Sequence, residues 1–330
     1  MRFNNKKIQV KKWRKGYSRG PLIADGKATM LEEKQLKFIK MQGAGNDYVY
    51  VDCFREPFLA DPSVVAPKIS DRHFGVGGDG LVLVQPSELA ASRMRMFNAD
   101  GSESEMCGNG VRCVAHLTVA RGYAPEGEVS IETGRGVLTV CVQRKGHRKS
   151  TVQVAMGTPI LNAENIPVEI SSTVDKQVID FPCKVFEQQD SPWFDEAKLD
   201  HRMTCVSMGN PHAVFYCHDV MAIPLETVGP LLECHPMFPK RMNVHFVQRL
   251  TSGRVRMRTW ERGSGITMAC GTGASAVCVA GVLTGRTDSQ LVAELPGGEL
   301  VLQWDGKGEV FMTGPAEEVF EGEWYLEHQK

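Results

Sequence analysis

Two short motifs, each a cysteine followed closely by two glycines, contain the residues of this sequence that are best suited to chemistry. The first is Cys-Gly-Asn-Gly at 107–110 and the second is Cys-Gly-Thr-Gly at 270–273. A thiolate can act as a base, and neighbouring glycines let a substrate come close to the backbone. A single motif of this kind would fit a tight turn with an inert buried thiol, so the presence of two copies is what favours chemistry.

A stretch of small apolar residues follows each motif, at 111–120 and at 274–283. Gly122 and Gly285 each stand fifteen residues after their cysteine, where a glycine beyond a helix C-terminus would stand. We therefore predict a buried helix after each cysteine. The free N–H groups and the dipole at a helix start stabilise a thiolate, lower its pKa and bind a substrate carboxylate.

The two sulfurs could invert a carbon centre if the motifs faced each other. A thiolate on one face would remove the α-proton while a thiol on the other face delivered one, without a carbonyl cofactor. A metal site of Cys107, Cys113 and His116 is an alternative, but on a helix these residues do not share one face, and no second ligand cluster accompanies them. A non-catalytic redox protein that uses the same thiols is a second alternative.

An internal duplication supports the facing arrangement, because three pairs of residues recur in the same order at nearly one separation. The pairs and their separations are Asn46 and Asn210 (164), Cys107 and Cys270 (163), and Glu132 and Glu294 (162). A repeat of this length is too long for a solenoid and indicates two similar domains. We expect them to pack face to face about a pseudo-two-fold axis, with the cysteine loops at the cleft.

Short apolar or β-branched runs bounded by turn residues predict strands in both halves. These runs lie at 48–51, 81–84, 137–140, 214–216, 244–247 and 300–302. We predict an α/β (α+β) fold of two strand-rich domains, each wrapped around one helix. The expected domains are 35–150, completed by a last strand at 315–330, and 151–314.

Composition limits the class of protein. The 330 residues carry 38 Lys and Arg against 39 Asp and Glu, so the basic excess typical of nucleic-acid binders is missing. No apolar run has the length of a membrane span. The ten scattered cysteines suit a reducing compartment, and we expect a cytoplasmic protein. Residues 1–34 begin with a basic stretch that we expect to be a disordered leader outside the fold.

Seven segments of the sequence resemble the diaminopimelate epimerase family and occur in the family's order. They are Gln-Gly-Ala-Gly-Asn-Asp at 42–47, Asp-Arg-His-Phe-Gly-Val-Gly-Gly-Asp-Gly at 71–80, Phe-Asn-Ala-Asp-Gly-Ser at 97–102, Met-Cys-Gly-Asn-Gly at 106–110, Gly-Asn-Pro-His at 209–212, Trp-Glu-Arg-Gly at 260–263 and Ala-Cys-Gly-Thr-Gly at 269–273. The resemblance implies interconversion of LL- and meso-diaminopimelate in lysine biosynthesis, without pyridoxal phosphate or metal. It also implies two pseudo-symmetric domains, each a β-barrel-like sheet around a central helix.

The resemblance assigns roles position by position. Cys107 and Cys270 would transfer the proton. His212 and Glu261 would control the protonation of these thiols. The residues that would hold the reacting carboxylate stand at the two helix starts: Gly108, Asn109, Gly271 and Thr272. The residues that would bind the amino groups and the other carboxylate of the substrate are Asn46, Asn98, Asn210, Asn243, Glu261 and Arg262.

One departure from the family pattern concerns Gly80, where some members carry a substrate-contacting glutamine. The repeat makes Gly80 the counterpart of Asn243, and we do not count it as a binder. A proline racemase-like enzyme is the nearest alternative, because such proteins also have one cysteine in each half. Glu261 and Arg262 favour a longer substrate with a second charged end, since arginine binds a carboxylate with two hydrogen bonds. A small-molecule substrate is thus the expected partner, and a homodimer would be compatible with the sequence.

Overall fold

The computed structural model describes residues 35–104, 108–170, 176–186 and 192–326. The predicted leader at 1–34 and Cys107 lie outside these residues. Within them the elements are, in order, β1 (Gln35–Gly43), β2 (Asn46–Asp52), α1 (Pro62–Ser70), β3 (Gly80–Gln85), β4 (Ser92–Asn98), β5 (Glu103–Ser104), α2 (Gly108–Ala120), β6 (Gly127–Thr133), β7 (Gly136–Arg144), β8 (Lys149–Ala155), β9 (Phe181–Pro182), α3 (Pro192–Ala197), β10 (Arg202–Ser207), β11 (Pro211–Cys217), α4 (Leu225–Glu233), β12 (Asn243–Thr251), β13 (Arg254–Glu261), β14 (Gly265–Ile266), α5 (Gly271–Leu283), β15 (Gln290–Leu295), β16 (Gly298–Gln303) and β17 (Phe311–Tyr325).

Seven strands from the first half of the chain and the last strand, β17, close into a barrel. Their order around the barrel is β1, β2, β3, β4, β6, β7, β8 and β17, and β17 returns to pair with β1. The pairs β2–β3 and β4–β6 are parallel, and the other pairs are antiparallel. Helix α2 fills the barrel, and its residues from Gly108 to Val119 are all buried. This closed sheet around a helix confirms the predicted fold class.

The second half repeats the same pairing pattern. Strands β10, β11, β12, β13, β15 and β16 follow one another, with β11–β12 and β13–β15 as the parallel pairs, and β16 joins the start of β17. Helix α5 packs against these strands and has apolar residues on every side. The duplication predicted from the sequence is therefore confirmed. The domain boundaries at 150/151 and 314/315 stay a prediction.

The ends of both central helices lie where the sequence predicts them. Gly122 and Gly285 have positive φ angles of 79° and 65°, the left-handed conformation that glycine adopts beyond a helix C-terminus. The six predicted strand segments all fall within observed strands, in β2, β3, β7, β11, β12 and β16. Throughout the described ranges, no helix is long and apolar enough to cross a membrane.

The starts of α2 and α5 converge on Met312 in β17. A Cβ built on Gly108 would lie 3.3 Å from Met312 Cε, and one built on Gly271 would lie 3.0 Å from Met312 Sδ. Asn109 at the start of α2 donates a hydrogen bond across this junction to the carbonyl oxygen of Ala269, at 3.3 Å. We call the barrel around α2 the first lobe and the strands around α5 the second lobe. The fold thus brings the two helix starts together between these lobes.

Candidate active site

Cys270 is the N-cap residue of α5 and lies directly before its first turn. The residue is only 4% exposed, and its sulfur lies 3.6 Å from Thr272 Oγ1. The N–H of Gly273 also interacts with the thiol. The predicted placement of this cysteine at a helix start is therefore confirmed, whereas the placement of Cys107 stays a prediction.

The pKa of Cys270 differs from the sequence-based expectation. We predicted that the helix start lowers the pKa, but burial first and the negative charge of Glu261 second raise it well above 9.0, the ordinary value. The Thr272 hydroxyl and the Gly273 N–H lower the pKa without offsetting these two effects. The prediction was wrong for Cys270, because this environment favours the protonated thiol over the thiolate.

Glu261, the last residue of β13, stands beside this thiol. Its carboxylate forms a hydrogen bond with Cys270 and accepts another from Thr267 Oγ1 at 2.5 Å. Burial, as the largest effect, raises the pKa of Glu261, and the negative charge of Asp79 in the first half of the chain adds to the rise. Cys270 and Glu261 therefore form a thiol–carboxylate pair from which a proton can be moved.

A line of hydrogen bonds leads from the region of Cys270 into the core of the second lobe. Asn210 Nδ2 lies 3.4 Å from Thr272 Oγ1, and Asn210 Oδ1 lies 2.9 Å from His212 Nε2. His212 Nδ1 lies 2.9 Å from His245 Nε2, whose Nδ1 lies 2.9 Å from Thr259 Oγ1. Both histidines are fully buried. Burial lowers the pKa of His212 well below 6.5 and that of His245 to about 3, so both rings are neutral near pH 7.

The two buried histidines predict a pH dependence of stability. Each has a folded-state pKa below its unfolded value of 6.5, so the unfolded chain binds more protons below that pH. The stability that the two neutral histidines contribute should therefore be complete above pH 6.5. Below that pH the free energy of unfolding should fall, by up to about 1.4 kcal/mol per pH unit for each histidine. Urea unfolding of the protein and of His245→Gln between pH 8 and pH 5 measures this effect, with about half of the histidine contribution expected to be absent in the variant. Equal slopes in the two proteins would contradict the assignment.

Asn243 and Arg262 make contacts within the protein. Asn243 Nδ2 donates to the Pro211 carbonyl oxygen at 2.8 Å, and Asn243 Oδ1 accepts from the Arg262 N–H at 2.9 Å. The Arg262 guanidinium donates to the Lys240 carbonyl oxygen at 3.0 Å. Asn243 thus ties the start of β11 to the turn after β13, which holds Glu261 and Arg262 in place.

The predicted residues of the first lobe are held by different partners. Asn46 Nδ2 donates to Asp79 at 2.6 Å, and Asn98 Nδ2 donates to Ser102 Oγ at 3.0 Å. Asn109 is 5% exposed, and among the described residues no hydrogen-bond donor reaches its buried Oδ1. The structure therefore links Cys270, Thr272, Asn210, His212 and Glu261 through direct contacts. Among the described residues, Asn109 and the charge of Asp79 connect the first lobe to this group.

The strand pairing shows that Asn98 in the first half of the chain and Glu261 in the second occupy equivalent positions of the duplication. Asn98 pairs with Gly80 at the end of β4, and the corresponding position at the end of β13 is Glu261. A Cβ on Gly80 would lie 2.1 Å from the Phe97 carbonyl oxygen, so a side chain there would require a shift of the backbone. The backbone around position 80 is therefore fitted to a glycine.

Four residues near the site were not predicted from the sequence: Asp79, His245, Thr259 and Thr267. Asp79 lies within a motif that was recognised, but its bond to Asn46 depends on the approach of two separate loops. His245 lies between the buried apolar residues Val244 and Phe246 in β12, a position that also fits an ordinary core residue. Strand register, which sequence spacing alone does not reveal here, decides these contacts.

One residue of the alternative metal site, His116, already has partners within the protein. His116 Nδ1 lies 2.7 Å from Ser150 Oγ and His116 Nε2 lies 3.1 Å from Glu318 Oε1, so both ring nitrogens already have protein neighbours. Over the part of the chain that the structure describes, no group of three or more His, Cys, Asp or Glu side chains could hold an ion.

Solved structures with this architecture define the class of the fold. A phenazine biosynthesis protein of the PhzF family from Bacillus anthracis matches with a TM-score of 0.64 at 16% identity, over 89% of this chain and 100% of that one. A hydroxyproline epimerase from Agrobacterium vitis matches with a TM-score of 0.52 at 15% identity, over 88% of this chain and 91% of that one. The protein therefore has the two-lobed fold that these two proteins share.

Sequence comparison defines the family. The family model for diaminopimelate epimerase matches residues 38–162 and 204–319. The diaminopimelate epimerase of Acetivibrio thermocellus is 47% identical over 289 residues, which cover 87% of this chain and 98% of that protein. This chain belongs to the diaminopimelate epimerase family and is an isomerase of the epimerase type.

Proposed function

We propose that this protein interconverts LL- and meso-2,6-diaminopimelate by two-base proton transfer between Cys107 and Cys270. The observation that carries the proposal is the Cys270 thiol, which is buried at a helix start and hydrogen-bonded to the Glu261 carboxylate. Membership of the diaminopimelate epimerase family supports the choice of substrate. The substrate places the protein in lysine biosynthesis.

The proposed step conserves protons over the pair of sulfurs, because one sulfur gains a proton while the other loses one. The thiolate of one cysteine takes the α-proton, so that an S–H bond forms as the C–H bond breaks. The thiol of the other cysteine then gives its proton to the opposite face of the same carbon, and the roles are exchanged for the reverse reaction. The N–H groups at the starts of α2 and α5 stabilise the charge that develops on the substrate carboxylate. In one direction the Cys270 thiol gives its proton to the substrate carbon. In the other direction Cys270 first gives its proton to Glu261 and then acts as the thiolate base.

The remaining polar residues have proposed roles in holding the substrate. Gly108, Asn109, Gly271 and Thr272 hold the reacting carboxylate, and Arg262 with Asn46, Asn98, Asn210, Asn243 and Glu261 holds the other charged groups. His212 and Glu261 set the protonation of the thiols. The reaction as proposed requires neither pyridoxal phosphate nor a metal, and a homodimer stays a prediction. The nine cysteines among the described residues form no disulfide bond with one another, and we also propose a cytoplasmic location.

Exchange in D₂O tests the reaction and separates it from its nearest alternative. The protein is offered LL-diaminopimelate and L-proline separately, and α-deuterium is measured by mass spectrometry. We expect deuterium in the diaminopimelate product and none in proline, because Glu261 and Arg262 suit a second charged end. Exchange of proline alone would overturn the substrate assignment.

A further inference from the structure

The buried pair His212 and His245 lies in a line of hydrogen bonds between Asn210 and Thr259, and the groups in this line fit a single direction of donation. In its observed orientation the Asn210 amide presents Oδ1, which can only accept, to His212 Nε2, so this nitrogen carries the proton as long as the amide keeps that orientation. In a neutral ring His212 Nδ1 is then an acceptor, and the facing His245 Nε2 must donate to it. His245 Nδ1 in turn accepts from the Thr259 hydroxyl. One tautomer of each ring therefore satisfies all the polar groups in the line.

His245 is also fitted against the first turn of α5. A Cβ built on Gly273 would lie 2.2 Å from His245 Cε1, so the imidazole occupies space that any other residue at position 273 would need. The ring is 0% exposed and cannot move outward without disturbing this contact. The Cys270 helix start and the His245 ring are thus packed directly against each other.

We propose that His245, supported by Thr259, is a positioning residue that holds His212 in the tautomer with its proton on Nε2, facing Asn210. With its Oδ1 bound by His212, Asn210 turns its Nδ2 toward Thr272, which contacts the Cys270 sulfur. His245 thereby fixes a polar group at the reacting thiol without touching the substrate. The burial that keeps both rings neutral near pH 7 supports the arrangement. The catalytic consequence rests on the proposed function, whereas the tautomer does not.

The test compares His245→Leu, which removes the donor, with His245→Gln, whose amide N–H can replace it. His116→Leu is the matched control, because His116 is also fully buried and bonded at both ring nitrogens, but lies in the other barrel. Thr259→Val is a milder variant that removes only the last hydroxyl of the line and keeps the system testable if His245→Leu does not fold. The readouts are the ¹⁵N shifts of the His212 ring and the separate values of kcat and KM for LL-diaminopimelate.

In His245→Leu we expect the His212 signals to change from a single Nε2–H tautomer to a mixture, and kcat to fall roughly 10-fold to 100-fold, as losing an outer partner of a functional histidine commonly does. KM should change little, His245→Gln should restore the tautomer and most of kcat, and Thr259→Val should shift both in the direction of His245→Leu. An unchanged His212 tautomer in His245→Leu or, failing that, in Thr259→Val would overturn the proposal. An equal loss of kcat in His116→Leu would also overturn it. If the unaltered protein does not epimerise diaminopimelate, the proposed function fails, while the ¹⁵N comparison still decides the positioning role.

Discussion

Replacing Cys270 with alanine should lower kcat for epimerisation by roughly 10²-fold to 10⁴-fold, the usual contribution of a positioned acid or base. Without the Cys270 sulfur, one face of the α-carbon has no group that can exchange a proton with it. The variant should keep its fold, because the first turn of α5 is closed by the backbone hydrogen bond from the Ala274 N–H to the Cys270 carbonyl oxygen, which alanine retains. Turnover in both directions and the circular dichroism spectrum measure the two parts of this expectation. We expect the same loss of turnover in Cys107→Ala.

Cys278→Ala is the matched control for the Cys270 variant. Cys278 lies in the same helix α5, is fully buried and has a free thiol whose pKa burial raises to about 12. Its removal should cost some stability through lost packing but should leave kcat unchanged. Full activity in Cys270→Ala, or an equal loss in Cys278→Ala, would show that the position of the thiol has no special role.

Glu261→Gln should lower kcat by roughly 10²-fold or more, because the amide keeps the shape of the side chain but cannot take up the Cys270 proton. The same change should lower the pKa of Cys270. Burial and the Glu261 charge both raise that pKa, so removing the charge leaves only burial to raise it. At any given pH below the pKa, the thiolate fraction and the alkylation rate of Cys270 should therefore increase. Peptide mass spectrometry after timed alkylation at several pH values follows this cysteine individually.

Glu318→Gln provides the comparison for loss of a buried carboxylate. Glu318 is 8% exposed and is bonded to His116 and Arg121 in the first barrel. Its replacement should reduce stability without moving the pH profile of Cys270 alkylation. A Cys270 profile that does not move in Glu261→Gln, or that moves to higher pH, would contradict the thiol–carboxylate pair.

The sequence predicted those features of the fold that short-range patterns encode. The central helices were predicted because their glycines stand at equal distances from the two cysteines, and both glycines adopt the left-handed conformation expected of them. The duplication was predicted because three motif pairs keep nearly the same separation, and the parallel pairing of β2 with β3 recurs in that of β11 with β12. Membership of the diaminopimelate epimerase family was correctly inferred from seven motifs in order.

The electrostatics of the site could not be predicted in the same way. The helix start does favour the Cys270 thiolate, but its effect is smaller than that of burial and of Glu261, which lies nine residues earlier in the chain. The depth of a residue and the approach of a side chain from a neighbouring strand follow from packing of the whole domain. The contact between His245 and Gly273 has the same origin, since it joins β12 to α5.

The most direct measurement is the distance from each of the two sulfurs to the α-carbon of diaminopimelate in a crystal structure of the unaltered protein with that ligand bound. The two-base account predicts that the sulfurs of Cys107 and Cys270 both lie at near-attack distance, about 3–3.5 Å, on opposite faces of the same carbon. Two sulfurs on one face, or one sulfur too far from the α-carbon to exchange a proton with it, would contradict the account.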